Sequence, residues 1–241
     1  MNGVNHVDKA SPNDNGTTFH AFATRQQASL ALADQLTADL SHALAHSPGA
    51  NLVVSGGTSP IDLFHNLRTR DLDWNKLTVI PSDERVVAAD HPDRNDAMIR
   101  RELLQDKASE ARLLSLVRKH TGATAGIEMC LESIPSHFDA AILGMGEDGH
   151  TASLFPDSPG IAEALMSKAQ LLRMSVPRLK MERVSLSPAA LLTSKRIDLL
   201  FFGQNKRTVF EAAIKQGPAT TYPIRVVLHQ DQVPVRVFWA P

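Results

Sequence analysis

The sequence predicts an α/β domain built on a largely parallel central sheet flanked by helices. Three observations point there. Short apolar runs alternate with stretches of helical periodicity along most of the chain. The apolar runs are short and continuous, as expected for strands covered on both faces. Several of them end in unusual glycine-bearing or charged loops, where the connection to the next helix begins.

Taken in order, Met1 to Thr18 is rich in Asn, Asp, Gly and Ser and reads as a flexible polar leader. Residues 19–241 read as one α/β domain. Leu32, Leu36, Leu40 and Leu44 recur every four residues and share one helix face, ending near Pro48-Gly49. Asn51 to Val54 reads as a buried strand that opens onto Ser55-Gly56-Gly57-Thr58. Pro60 suits the first turn of the next helix, with Ser59 as its cap and Ile61, Phe64 and Leu67 inside. Lys76 to Ile80 is a second strand, entering a loop with Asp83-Glu84-Arg85. A helix is expected over Asn95 to Leu104 and a third strand over Leu113 to Val117. Asp139 to Leu143 is the clearest strand and leads into Gly144 to His150. Later strands are expected at Leu171–Met174, Arg183–Leu186, Ile197–Phe202, Ile224–Leu228 and Val235–Trp239, with a helix over Lys206–Ile214.

Composition narrows the function. The 241 residues hold 25 Lys+Arg against 26 Asp+Glu, a net charge of -1. Nucleic-acid and anionic-membrane partners call for a basic excess that is absent. A small anion needs only a few cations converging in a cleft. No window approaches the roughly 18 uninterrupted apolar residues of a membrane span, and the leader lacks the apolar stretch of a signal peptide. The single cysteine, Cys130, reads as a small buried hydrophobe and forms neither an internal disulfide nor a cysteine-rich zinc site. The expected location is the cytoplasm.

If the sheet is parallel, the loops after Val54, Ile80 and Leu143 gather along one edge. Paired glycines in Ser55-Gly56-Gly57-Thr58 free backbone N–H groups to face a ligand, and the helix start that follows adds more, so the loop suits a phosphate. Read alone, a tight strand-to-helix turn with no ligand is the lesser alternative. It is not a Walker A loop, since no Gly-Lys-Ser/Thr follows, nor a nucleophile elbow, since Val53 stands where Gly is needed. Arg85 can offer a fixed cation to a phosphate or an oxyanion. His91, Arg94 and Asn95 follow it and fit the same rim. Gly144 to Gly149 satisfies G-x-G-x-x-G, but Phe155-Pro156 soon breaks any helix after it and no acid closes the next strand, which disfavours a dinucleotide. The glycines instead expose Asp148 and His150, a carboxylate beside a base suited to neutral pH. Arg183 and Lys206 are plain surface charges or further ligands for an anion. A lysine at a helix start opposes the dipole, which favours the second reading for Lys206.

These motifs resemble the 6-phosphogluconolactonase family. The resemblance rests on Ser55 to Pro60, Asp83-Glu84-Arg85 and the specific stretch from Gly144 to Pro156, supported by Arg183 to Leu186, Gly203 to Lys206 and Pro234 to Trp239. It implies a Rossmann-like fold shared with glucosamine-6-phosphate deaminases and ribose-5-phosphate isomerases. It implies hydrolysis of 6-phospho-D-glucono-1,5-lactone in the pentose phosphate pathway, with no metal or organic cofactor. His150 would then be the general base, Asp148 its partner and Arg85 a further catalytic group. Ser55, Gly56, Gly57, Thr58, Arg183 and Lys206 would bind substrate or phosphate. The expected state is a monomer or weak dimer. The alternative is a glucosamine-6-phosphate deaminase/isomerase, but Thr151 to Pro156 departs from the run that usually follows Asp-Gly-His there. A non-catalytic sugar-phosphate sensor is a third reading, disfavoured because the leader is too short for a DNA-binding helix-turn-helix. The family's usual His-x-x-Ser-Asn is here His91-Pro92-Asp93-Arg94-Asn95, which leaves the role of Arg94 open.

Overall fold

A computed structural model describes residues 16–88, 90–117 and 134–241. Its centre is a seven-stranded sheet in the order β1-β10-β9-β6-β2-β3-β5, with every neighbouring pair parallel. The strands are β1 (Thr17–Ala21), β2 (Ala50–Val54), β3 (Leu77–Pro81), β5 (Arg112–Leu113), β6 (Ala140–Leu143), β9 (Ile197–Phe202) and β10 (Val235–Ala240). A second, three-stranded antiparallel sheet joins β4 (Asp83–Arg85) to β8 (Met181–Leu186) and β8 to β7 (Leu171–Val176).

Side chains of a strand alternate between faces, and the central strands bury both. Leu52, Val54, Ala140 and Ile142 face α1 (Arg25–His46), α2 (Ile61–Leu67) and α3 (Asn95–Glu102). Val53, Ala141, Leu143, Leu199 and Val237 face the other layer. That layer holds α5 (Pro188–Leu191), α6 (Gln204–Ile214), α7 (Arg225–Leu228) and the apolar side of the small sheet. A short α4 (Ile161–Met166) packs with Leu154 and Met174. The long helix α1 starts at Thr24, whose hydroxyl accepts from Gln27 N–H at 3.2 Å. It buries Leu32, Leu36 and Leu40 at the predicted spacing.

Five expectations need correction. Ile224–Leu228 is not a strand: Arg225–Leu228 is helix α7. A five-residue run with four apolar positions does not distinguish the two states. Here the buried Arg225 decides, donating to the carbonyls of Ala212 and Ala213 in the last turn of α6 and of Lys215 and Pro218 just beyond it. Ser59 does not cap α2, which starts after Pro60 without a side-chain cap. Asp83-Glu84-Arg85 is strand β4, not a loop, and the strand expected over Leu113–Val117 is confined to Arg112–Leu113. Thr17 and Thr18, assigned to the leader, begin β1 and pair with β10. Cys130 and the first 15 residues lie outside the described residues.

One charged cluster crosses the core. Arg236 of β10 and Asp198 of β9 are register partners, joined by two hydrogen bonds of 2.6 and 2.8 Å. The same guanidinium reaches Asp39 at 2.7 Å and Gln35 at 3.0 Å on α1. Asp198 has no exposed surface, so losing its partner strands a buried carboxylate. Arg236→Ala should therefore cost about 3–5 kcal/mol in urea unfolding. The apolar double replacement Arg236→Met with Asp198→Leu should recover most of it. A loss below about 1 kcal/mol in the single variant would mean the pair is solvated, contrary to its burial.

Candidate active site

The strand order changes direction between β2 and β6. Chain segments on one side of this boundary run outward through β3 and β5, and those on the other through β9 and β10. Ligands of open parallel sheets bind at such a point, beyond the carboxyl ends of the strands. A cavity of about 270 Å³ opens there, between the loops that leave β2, β3 and β6. Eight of the nine predicted residues line it: Ser55, Gly56, Gly57 and Thr58 after β2, Arg85 on β4, His150 after β6, Arg183 on β8 and Lys206 on α6. The ninth, Asp148, stands behind His150.

Gly56 needs its missing side chain. A Cβ there would overlap the Asn95 carboxamide, which donates to the Asp83 carbonyl at 2.7 Å and accepts from Arg85 Nη1. Arg85 also donates to the Asp93 carbonyl at 2.9 Å. Its guanidinium is thus fixed before any ligand arrives.

The β6 loop is tightly closed. Gly146 N–H donates to the His150 carbonyl at 2.9 Å, and Thr151 Oγ1 donates to the Gly144 carbonyl at 2.9 Å. Gly149 sits at φ +75°, and a Cβ there would strike Tyr222. No helix opens on this loop, since the next is α4 at Ile161. His150 Nδ1 lies 2.5 Å from Asp148 Oδ1, and its ring stacks on Phe155 with centroids 4.0 Å apart. Burial pushes the Asp148 carboxyl up, but the His150 hydrogen bond and charge, with Arg178 beyond, outweigh it and hold Asp148 well below the usual carboxylate range. An ionised Asp148 can only accept, so Nδ1 carries the proton and Nε2 is left as a base.

The cations come from three elements. Arg85 and Arg183 are direct partners across the antiparallel β4–β8 ladder. Burial lowers the Arg183 value against the pull of Asp83, 3.4 Å away, and the like charge of Arg85 opposite it lowers it further. Lys206, in the first turn of α6, is lowered chiefly by burial. No hydrogen bond or ion pair holds its ammonium among the described residues. Three cations lining one cavity suit an anionic ligand.

Sequence reasoning missed part of this wall. Ser82, Asp83, Met145 and Ala152 also line it. Asp83 carries a 2.5 Å hydrogen bond from Ser153. Ala152 takes φ +48°, a left-handed conformation with no sequence cue. Of the three rim residues expected after Arg85, only Asn95 reaches the cavity.

Arg94 has a different task. It holds the N-cap position of α3 without a cap bond of its own. Its guanidinium instead grips Asp96 at 2.6 and 3.0 Å and the Val117 carbonyl at 3.0 Å. The capping passes to Glu84, whose carboxylate accepts from Asn95 and Asp96 N–H at 2.8 Å each. Glu84 is fully buried. Burial pushes its carboxyl up to about 7, against the Asn95 and Asp96 N–H groups and Arg94. Its folded value thus exceeds the ordinary 4.5, so its contribution to stability is complete below pH 4.5 and lost as pH rises through about 7. Carbon-detected NMR should place the Glu84 midpoint near 7, with unfolding free energy falling between pH 5 and pH 8. A midpoint near 4.5 would show that the helix N–H groups win over burial.

Comparison with known proteins adds a family to this geometry. Residues 23–239 match the family model for glucosamine-6-phosphate isomerases/6-phosphogluconolactonase. A 6-phosphogluconolactonase of Mesorhizobium japonicum is 38% identical, over 94% of this chain and 98% of its own. One from Pseudomonas aeruginosa is 34% identical, over 94% and 96%. The crystal structure of a 6-phosphogluconolactonase from Shewanella baltica superimposes with a TM-score of 0.86 at 34% identity, covering 92% of this chain and 97% of that one. A cavity at the sheet's reversal point, a histidine held by an aspartate and a ring of cations thus occur in a chain that belongs to the glucosamine-6-phosphate isomerase/6-phosphogluconolactonase family.

Proposed function

We propose that the protein hydrolyses 6-phospho-D-glucono-1,5-lactone to 6-phospho-D-gluconate, in the pentose phosphate pathway. The observation that carries the reading is the His150–Asp148 pair at 2.5 Å, set in a cavity that Arg85, Arg183 and Lys206 make cationic. The relatives named above supply the substrate class. Ester hydrolysis is redox-neutral and needs water, a base and a place for negative charge, so the reading calls for no cofactor. The soluble anionic substrate fits a cytoplasmic enzyme, working as a monomer or weak dimer. Among the described residues no helix is long and apolar enough to cross a membrane.

In this mechanism His150 Nε2 takes a proton from water as its oxygen attacks C1 of the lactone. Asp148 holds the ring through Nδ1 and stabilises the imidazolium that forms. The tetrahedral oxyanion rests against Arg85 or the N–H groups of the glycine loops. It collapses with cleavage of the bond between C1 and the ring oxygen. The proton on His150 passes to that oxygen, leaving an open-chain acid with a free hydroxyl. Arg183, Lys206 and the Ser55-Gly56-Gly57-Thr58 loop grip the phosphate, whose binding energy positions C1.

Lactone generated fresh from glucose 6-phosphate should be hydrolysed well above its spontaneous rate. His150→Ala should lose 10²-fold or more in kcat, about the scale of general-base catalysis. Arg183→Ala should act mainly by raising KM. Equal kcat in wild type and His150→Ala would remove His150 as the base. Rapid ammonia release from glucosamine 6-phosphate would replace the lactonase reading with the deaminase one.

A further inference from the structure

Asp148 spends its two oxygens on different partners. Oδ1 takes His150 Nδ1 at 2.5 Å and the His150 backbone N–H at 3.1 Å. Oδ2 takes Arg178 Nη2. Arg178 does not belong to the β6 loop. It lies in the single 3-10 turn, Pro177–Leu179, that joins β7 to β8. Its Nε also pairs with Asp157 Oδ2 at 2.8 Å, and its guanidinium sits over Phe155, 5.1 Å from the ring centroid. His150 stacks on that same ring. One arginine therefore touches both residues that hold His150, from an element that packs none of its own side chains into the core.

We propose that Arg178 is a positioning residue for lactone hydrolysis: it locks the Asp148 carboxylate in place and limits how tightly His150 retains a proton. The proposal rests on His150 being the general base. A carboxylate facing only an imidazole favours the imidazolium, and a base that is already protonated cannot accept from water. A cation on the far oxygen draws on the same negative charge. It also repels the imidazolium directly, so both effects act in one direction. The other charges near His150 are Glu147 on its own loop, Asp157 behind Arg178, Arg183 of β8 over the Phe155 ring, and Lys206 of α6, whose ammonium feels Glu147 and Asp148. Among these only Arg178 contacts the Asp148 oxygen that His150 leaves. Its side chain is 47% exposed, so solvent screens the effect to a modest size.

The test compares wild type with Arg178→Gln, which keeps a polar stem without charge, and Arg178→Lys, which restores charge. The ring nitrogens of His150 are followed by NMR across pH, and kcat and KM for fresh lactone are measured over the same range. In Arg178→Gln the His150 midpoint should move up by about 0.5–1 pH unit. The acid limb of kcat should follow, and KM should stay within about twofold. Arg178→Lys should return both towards wild type. An unchanged His150 midpoint in Arg178→Gln, with melting temperature preserved, would overturn the proposal. A moved midpoint with an unmoved acid limb would fail differently, by showing that His150 is not the base.

Discussion

Strand β2 is paired in parallel on both sides, to β6 through Leu52–Val54 and to β3 along its whole length. Parallel pairing makes adjacent strands end on the same rim. Because the chain reaches these two neighbours in opposite directions across the sheet, the loops that leave β2 and β6 part from each other there, and a gap opens between them. The cavity is the consequence of that divergence. Glycines let the two loops approach it, and the small antiparallel sheet closes the remaining side with its arginines. Without the parallel register of β6, β2 and β3 none of these groups would converge.

The central sheet was legible because its strands are covered on both faces. Apolar runs such as Leu52–Val54 and Leu199–Phe201 have no solvent side to interrupt them, so they are plain from the residues alone. The Ser55-Gly56-Gly57-Thr58 and Gly144–His150 loops were legible for the same reason, as sharp departures directly after such runs. What escaped was decided by distant contacts. The run from Ile224 to Leu228 turns helical because Arg225 is held by carbonyls at the end of α6. Three charged residues, Asp83 to Arg85, form a strand because β8 supplies partners for their backbone. The place of Arg178 depends on which way a hairpin turn folds over the β6 loop, and no local pattern encodes that.

Arg94 illustrates how a motif can change while its frame survives. The family's serine at this position would be a natural cap for α3. Here the capping falls to Glu84, one residue before Arg85, while Arg94 neutralises the buried acids around it. Asn95, the next residue, keeps its grip on Arg85 and on the Asp83 carbonyl. The substitution therefore alters the support of the site and leaves the cavity wall intact.

The pairing of β4 with β8 has a consequence for how the site comes into being. Asp83 and Arg183 meet across 100 residues of chain. The His150 loop, by contrast, closes on itself within a few residues. Closing a long segment carries an entropic cost that local turns do not, and contacts of that kind form late. A chain part-way through folding would thus own its proton-accepting pair before it owned a receptor for an anion. Competence to recognise substrate would arrive with completion of the tertiary structure, making ligand capture a readout of the finished fold.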